Sequence, residues 1–147
     1  MESELVMLVS TRGRYAIRIM LELSSHSKDD RVSLAELSRN QEISLKYAEA
    51  IVASLVKSGL LEGQRGKNGG YSLVKSPSEI SIGEILKITE DSLAPVACMD
   101  CIPNNCPKKK KCRTLPMWEN LGKMISDYLY GISLKDLMNG NIKSISE

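Results

Sequence analysis

The chain has 147 residues, enough for one domain with or without an extension, and its 42% hydrophobic and 26% charged residues are those of a globular protein. No apolar run nears the ~20 residues of a membrane span, and the start, MESELVML, lacks the basic and apolar regions of a secretory signal, which predicts a cytoplasmic protein. Twenty Lys and Arg against 18 Asp and Glu leave a net charge of +2, so any nucleic-acid binding must come from local basic surface, while a single histidine argues against hydrolysis by a His base.

Met1–Met7 has no assigned role, and Met7 is an alternative start. Ser10 or Thr11 is placed to cap a helix running to about Ser24, with Tyr15, Ile19, Met20 and Leu23 at helical spacing. Arg12, Arg14 and Arg18 oppose the macrodipole at its start, so helix stability does not explain them; phosphate contact and plain solvation both remain open. His26 falls in a polar loop, where solvation is its ordinary state.

Ser33 and Glu36 match a capping box, opening a short helix with Leu34 and Leu37 inward. Asn40–Ile43 breaks it. Ser44 then caps a second helix through Ser58, whose apolar stripe is Ala48, Ile51, Val52 and Leu55, and Gly59 closes it. Two short helices with a tight turn predict a helix-turn-helix, in which Ser44, Lys46, Tyr47 and Ala50 can reach base edges and phosphates of a major groove.

Leu60–Arg65 and Tyr71–Val74 flank GKNGG and predict a two-stranded wing with Arg65 and Lys67 at its tip. The glycines lack the GxxxxGK[ST] order and lead into a strand, which excludes a P-loop; Arg65 in a narrow minor groove competes with a merely solvated tip. Lys75–Ile80 is a connector. Ser81 and Glu84 form another capping box, for a helix with Ile82, Ile85 and Leu86 on one face.

All four cysteines follow in one stretch, ACMDCIPNNCPKKKKC: two residues separate Cys98 from Cys101, four separate Cys101 from Cys106, and five separate Cys106 from Cys112. Thiols gathered at short spacing, in a loop that Pro103 and Pro107 keep from being one helix, suit a metal or redox site. An iron–sulfur centre, a structural zinc, and direct thiol or disulfide sensing or no centre at all are the three readings. Lys108 to Lys111 either offset the charge of the thiolates or simply face solvent.

Thr114 and Pro116 start the longest helix, where Met117, Leu121, Met124, Ile125 and Tyr128 form a stripe that Trp118 and Leu129 broaden. One small domain cannot cover so wide a stripe, so it predicts a partner subunit; burial against its own domain is the alternative. Gly131 ends this helix, and a short one capped by Ser133 and Asp136 runs to Met138.

STRGRYAI, SLAELSRNQEIS, LKYAEAIVASLVKSGLL, RGKNGGYSL, ISIGEIL and a cysteine loop before LPMWENL stand in an order that resembles the IscR and NsrR type of winged-helix transcription regulator, from Val9 to about Met138. The resemblance implies a mainly α fold with a small β-hairpin wing and a long C-terminal dimerisation helix. It implies a homodimer on a partly palindromic double-stranded DNA operator, and no enzymatic activity. Residues 8–80 are then the DNA-binding domain, 81–139 the cluster loop and dimerisation helices, and 1–7 and 140–147 flexible ends. Ser44, Lys46, Tyr47 and Ala50 stand at the recognition helix, Arg65, Gly66, Lys67, Asn68 and Gly69 at the wing, and Arg14 and Tyr15 near the backbone-contacting start of the first helix.

Cys98, Cys106 and Cys112 stand where that family holds a [2Fe–2S] or [4Fe–4S] cluster. Leu115 replaces the histidine of IscR, and Arg14 stands where NsrR-like members have an acidic residue. Cys101 is the substitute fourth ligand. A redox enzyme using such a centre would leave the helix-turn-helix without purpose. A cluster-free regulator of cysteine or sulfur metabolism, controlled by thiol state or a partner protein, is the other reading.

Overall fold

The computed structural model describes residues 9–95 and 109–146. Six helices and one hairpin follow in chain order: α1 (Thr11–Ser24), α2 (Leu34–Gln41), α3 (Leu45–Lys57), β1 (Leu61–Gln64), β2 (Gly70–Leu73), α4 (Ile82–Thr89), α5 (Leu115–Tyr130) and α6 (Leu134–Met138). The architecture is the mainly helical winged-helix fold expected, with α1 at its centre, packed on α2, α3, α4, α6 and β2.

Serine caps set most of the helix starts. The hydroxyls of Ser10, Ser33, Ser44, Ser81 and Ser133 accept from the backbone N–H three residues on, satisfying donors that the first helical turn leaves open. Ser10, not Thr11, caps α1. The boxes at Ser81–Glu84 and Ser133–Asp136 close in both directions. At Ser33–Glu36 only the hydroxyl side is made, so that expectation holds in half. The connector after β2 holds a 3-10 turn, Pro77–Glu79, in which Ser76 donates to the Glu79 carboxylate from both its N–H and its hydroxyl.

The Ser81 N–H at 2.9 Å, with the Lys75 ammonium at 3.2 Å, holds the Glu84 carboxyl below the usual carboxylate range against a smaller opposing effect of burial. A depressed pKa contributes stability that is complete at neutral pH and lost as pH falls through the acid range. Glu84→Gln will therefore lower the melting temperature at neutral pH and flatten its decline in acid, read from thermal unfolding across pH.

In the hairpin, Leu61 pairs with Leu73, Glu62 with Ser72, Gly63 with Tyr71 and Gln64 with Gly70. Val32, before α2, adds a bridge to Tyr71, with N–H···O distances of 3.1 and 2.8 Å. Gly70 makes this seam possible: its φ is +146°, and a Cβ there would lie 2.6 Å from the Val32 carbonyl oxygen. Gly66, at φ +112°, has open space around it. Gly70→Ala is expected to cost ~3 kcal/mol in urea unfolding and Gly66→Ala ~1, the difference being the backbone collision; equal costs would refute this account of the wing.

The core runs continuously from Ala16, Ile19 and Met20 to Ile85, Leu86 and Leu134, all essentially inaccessible. After α5 the chain returns to the winged head: Ile82 N–H donates to Ile132 O at 2.8 Å and Leu134 N–H to Ile80 O at 2.9 Å. Asn141 N–H donates to Asp136 O at 2.8 Å, so ordered hydrogen bonding continues just past α6.

Candidate nucleic-acid interface and cysteine loop

α2 and α3 meet across Glu42, Ile43 and Ser44. Glu42 is left-handed at φ +55°, uncommon for a residue with a side chain. Hydrogen bonds hold it there: Ile43 N–H donates to Ser38 O at 3.1 Å, and the Ser38 hydroxyl donates to Ile43 O at 2.6 Å. The Glu22 carboxylate of α1 accepts from Asn40 at 2.5 Å and Gln41 at 2.7 Å, pinning the end of α2. The turn is thus braced from both sides.

Beyond it, α3 divides cleanly. Ala48, Ile51, Val52 and Leu55 are buried, while Ser44, Leu45, Lys46, Glu49 and Ala50 are exposed. The Ser44 oxygen is occupied as a cap, accepting from Tyr47 N–H at 3.1 Å, which leaves its proton to donate outward. Tyr47 is half-buried, edge-on to Tyr15 with ring centroids 6.0 Å apart, and the Arg18 guanidinium sits 5.3 Å over the Tyr15 ring. The two tyrosines therefore form a packed pair joining α1 to the start of α3.

The three arginines of α1 separate. Arg12 donates to the Ser54 hydroxyl at 2.7 Å and braces α1 against α3, Arg18 stacks on Tyr15, and Arg14 is exposed. At the wing tip Arg65, Gly66, Lys67 and Asn68 are exposed. Gly69 is half-buried, and a Cβ there would fall on Gln64 O and Gly66 O. Its lack of a side chain is demanded by the turn itself, where Gly69 N–H donates to Gly66 O at 2.9 Å.

Of the candidate thiol ligands, Cys98, Cys101 and Cys106 lie outside the described residues, as does Lys108. Cys112 is half-buried, its sulfur 3.3 Å from the Thr114 hydroxyl at the start of α5. Thr114 makes no side-chain cap bond. Among the described residues no group of three or more His, Cys, Asp or Glu stands together. Leu115 is buried and apolar, and His26 bonds Asp30 at 2.8 Å.

Sequence periodicity missed the link between the loop and the reading head. Glu90, the residue after α4, accepts from Ser10 N–H at 2.9 Å and from the Ser10 hydroxyl at 2.7 Å, across 80 positions. Ser10 in turn caps α1 through Gly13 N–H at 3.0 Å. Gly13 is buried under this contact, and a Cβ there would meet the Glu90 carboxylate, Leu86 and Thr89. A glycine inside an otherwise well-formed helix was the one available signal of this close approach. Just past Glu90 the described end of the loop lines a cavity of about 480 Å³, shared with Gly122, Ser126 and Tyr130 of α5.

On α5 only Leu115 is buried. Met117 is 53% exposed, Leu121 37%, Met124 68% and Tyr128 45%, a single stripe at positions i, i+4, i+7 and i+11.

Comparison with known proteins agrees with this geometry. Residues 9–140 match the family described as Rrf2, iron-dependent transcriptional regulator. The chain is 36% identical over 133 residues to the HTH-type transcriptional regulator IscR of Pectobacterium carotovorum, covering 90% of this chain and 80% of that one. Its fold is similar to that of CymR, the global cysteine regulator of B. subtilis, with a TM-score of 0.73 and 28% identity over 90% of this chain and 96% of that one. It is also similar to T. potens IscR, with a TM-score of 0.69 and 29% identity over 95% and 91%. No helix among the described residues is long and apolar enough to cross a membrane.

Proposed function

Because this chain belongs to the Rrf2 family of iron-dependent transcriptional regulators, we propose that it is a homodimeric DNA-binding regulator whose hold on an operator answers to an iron–sulfur centre carried by Cys98, Cys101, Cys106 and Cys112. Residues 8–80 read the duplex, and residues 81–139 carry the loop and the subunit contact. The observation that carries this reading is the exposed first turn of α3 on the same head as a wing tip bearing Arg65 and Lys67.

Ser44 and Lys46 donate to phosphates and base edges from that turn, and Ala50 allows the helix to sit close to the groove floor. Arg65 enters the minor groove, while Lys67, Asn68 and the backbone at Gly66 and Gly69 follow the phosphates. Arg14 meets the backbone from α1, and Tyr15 holds Tyr47 and the start of α3 in place.

The donor set fits the centre. Leu115 is apolar and buried and Arg14 is cationic, so neither can complete it, whereas Cys101 lies inside the loop. Four thiolates suit either [2Fe–2S] or [4Fe–4S], and zinc is the alternative ion. Bound there, a cluster supplies a centre that oxidants and nitric oxide can alter.

The chain's own residues carry the change onward. Glu90 ties the loop's start to Ser10, and Arg12 ties α1 to Ser54 of α3. A loop that pulls on Glu90 therefore shifts the reading helix, and affinity follows to the extent that one arrangement fits the operator better.

Duplexes enriched from a random library test the reading. Lys67→Ala should weaken the enriched duplex over all its variants and reduce the slope of log affinity against log salt by about one. A protein that enriches no duplex, with or without iron, refutes it. A second reading, supported by the likeness to CymR, is a cluster-free regulator of cysteine metabolism. Purified protein without iron, with four titratable thiols and unchanged operator binding, favours that reading.

A further inference from the structure

The fold leaves a set of large apolar side chains uncovered. Most of them fall on α5 or the C-terminal tail, but Leu45 stands apart, 52% exposed in the first turn of α3 between Ser44 and Lys46, which are themselves exposed. Nothing in the helix requires a leucine there. The apolar residue that anchors the entry to α3 is Ile43, which packs on the core from the position before the cap. The first helical position otherwise favours proline or an acidic residue, not a leucine. By helical phase Leu45 sits at the edge of the stripe formed by Ala48, Val52 and Leu55, yet that stripe is buried and Leu45 is not.

We infer that Leu45 is a specificity-determining residue that reads the C5-methyl group of a thymine in the major groove. The inference rests on the proposed DNA reading and adds one base identity to it. Phosphates offer that turn only polar partners, and the edges of G·C pairs carry no methyl; the thymine methyl is the apolar group of the major-groove floor. Lys46 and the positive end of the helix bring the turn to the duplex, and burying Leu45 against a methyl removes apolar surface from water that neither neighbour can cover.

The test uses wild type and Leu45→Ala, each against the duplex that wild type enriches, with every thymine of the half-site replaced in turn by deoxyuridine, which lacks only the methyl. Leu45 is exposed and alanine is a strong helix former, so the variant will keep its fold and melting temperature. For at least one thymine, wild type should lose about fourfold in affinity on removal of the methyl, the worth of about one buried methyl-sized group, and Leu45→Ala should lose nothing. Equal penalties in the two proteins, or no sensitive thymine, overturn the inference and leave the DNA reading standing. A wild type that retains no duplex overturns both.

Discussion

Replacing all four cysteines together (Cys98→Ser, Cys101→Ser, Cys106→Ser and Cys112→Ser) will give a colourless protein without bound iron or sulfide, still folded, whose operator affinity no longer differs between reduced and oxidised preparations. Wild type prepared without oxygen will absorb visible light and carry both elements. The fold will survive because no cysteine belongs to the described core, and Cys112 is only half-buried at the start of α5. Serine keeps the size of the side chain but not the soft thiolate that binds iron. Iron and sulfide analysis, circular dichroism and duplex titration together separate the outcomes. Zinc in place of iron in the wild type would replace the cluster with a structural ion. A serine variant whose duplex binding matches wild type in both redox states would remove sensing by this loop.

The other large effect is expected on α5. Met117, Leu121, Met124 and Tyr128 form an uncovered stripe on a helix that buries only its first residue, and apolar side chains so arranged gain free energy by meeting a second copy. A standard interface removes about 800 Å² per partner from water, more than one stripe supplies, so the flanking Trp118 and Ile125 are expected to take part, while Leu129 packs on its own core. Leu121→Lys with Met124→Lys places two charges in that seam. The dissociation constant should rise at least about a hundredfold, from about 1.5 kcal/mol of lost burial per side chain. Light scattering after gel filtration will show one chain where wild type shows two. The melting temperature of the separated chain should hardly move, since both positions face solvent within one protomer. Operator affinity will fall with it, because two linked heads bind a two-part site more tightly than one. A wild type that is already a single chain at micromolar concentration refutes the homodimer.

Linkage between Ser81 and Glu84 shows why much of the fold was legible early. The cap hydroxyl and the carboxylate that answers it sit three residues apart, so the bond is a property of the local sequence. The same holds for the caps Ser10, Ser44 and Ser133 and for the buried stripe of α3. At Ser33 only half of the local pattern is realised: Glu36 does not return the bond.

For the candidate interface, the sequence placed Lys46, Ala50, Arg65 and Lys67 on exposed surface of a recognition helix and a wing, since helical phase and a glycine-rich turn decide that much. Tyr47, which it offered to the groove, lies half-buried against Tyr15, because that contact joins two helices 32 positions apart. The resemblance puts Gly69 at the wing among the residues that meet DNA, yet the backbone of its own turn is what excludes a side chain there.

By itself, then, the sequence determined the order and starts of the helices, the wing, the one stretch that gathers every thiol, and the apolar stripe of α5, all of which follow from spacings of a few residues. Only the tertiary structure decided that Glu90 would grip Ser10 under Gly13, that Arg12 would brace Ser54, that Val32 would join the hairpin, and that Leu134 would return to the core. Those contacts join residues separated by tens of positions. No local period encodes such pairs; they form when apolar burial brings the elements together and the polar groups left at each seam must find partners.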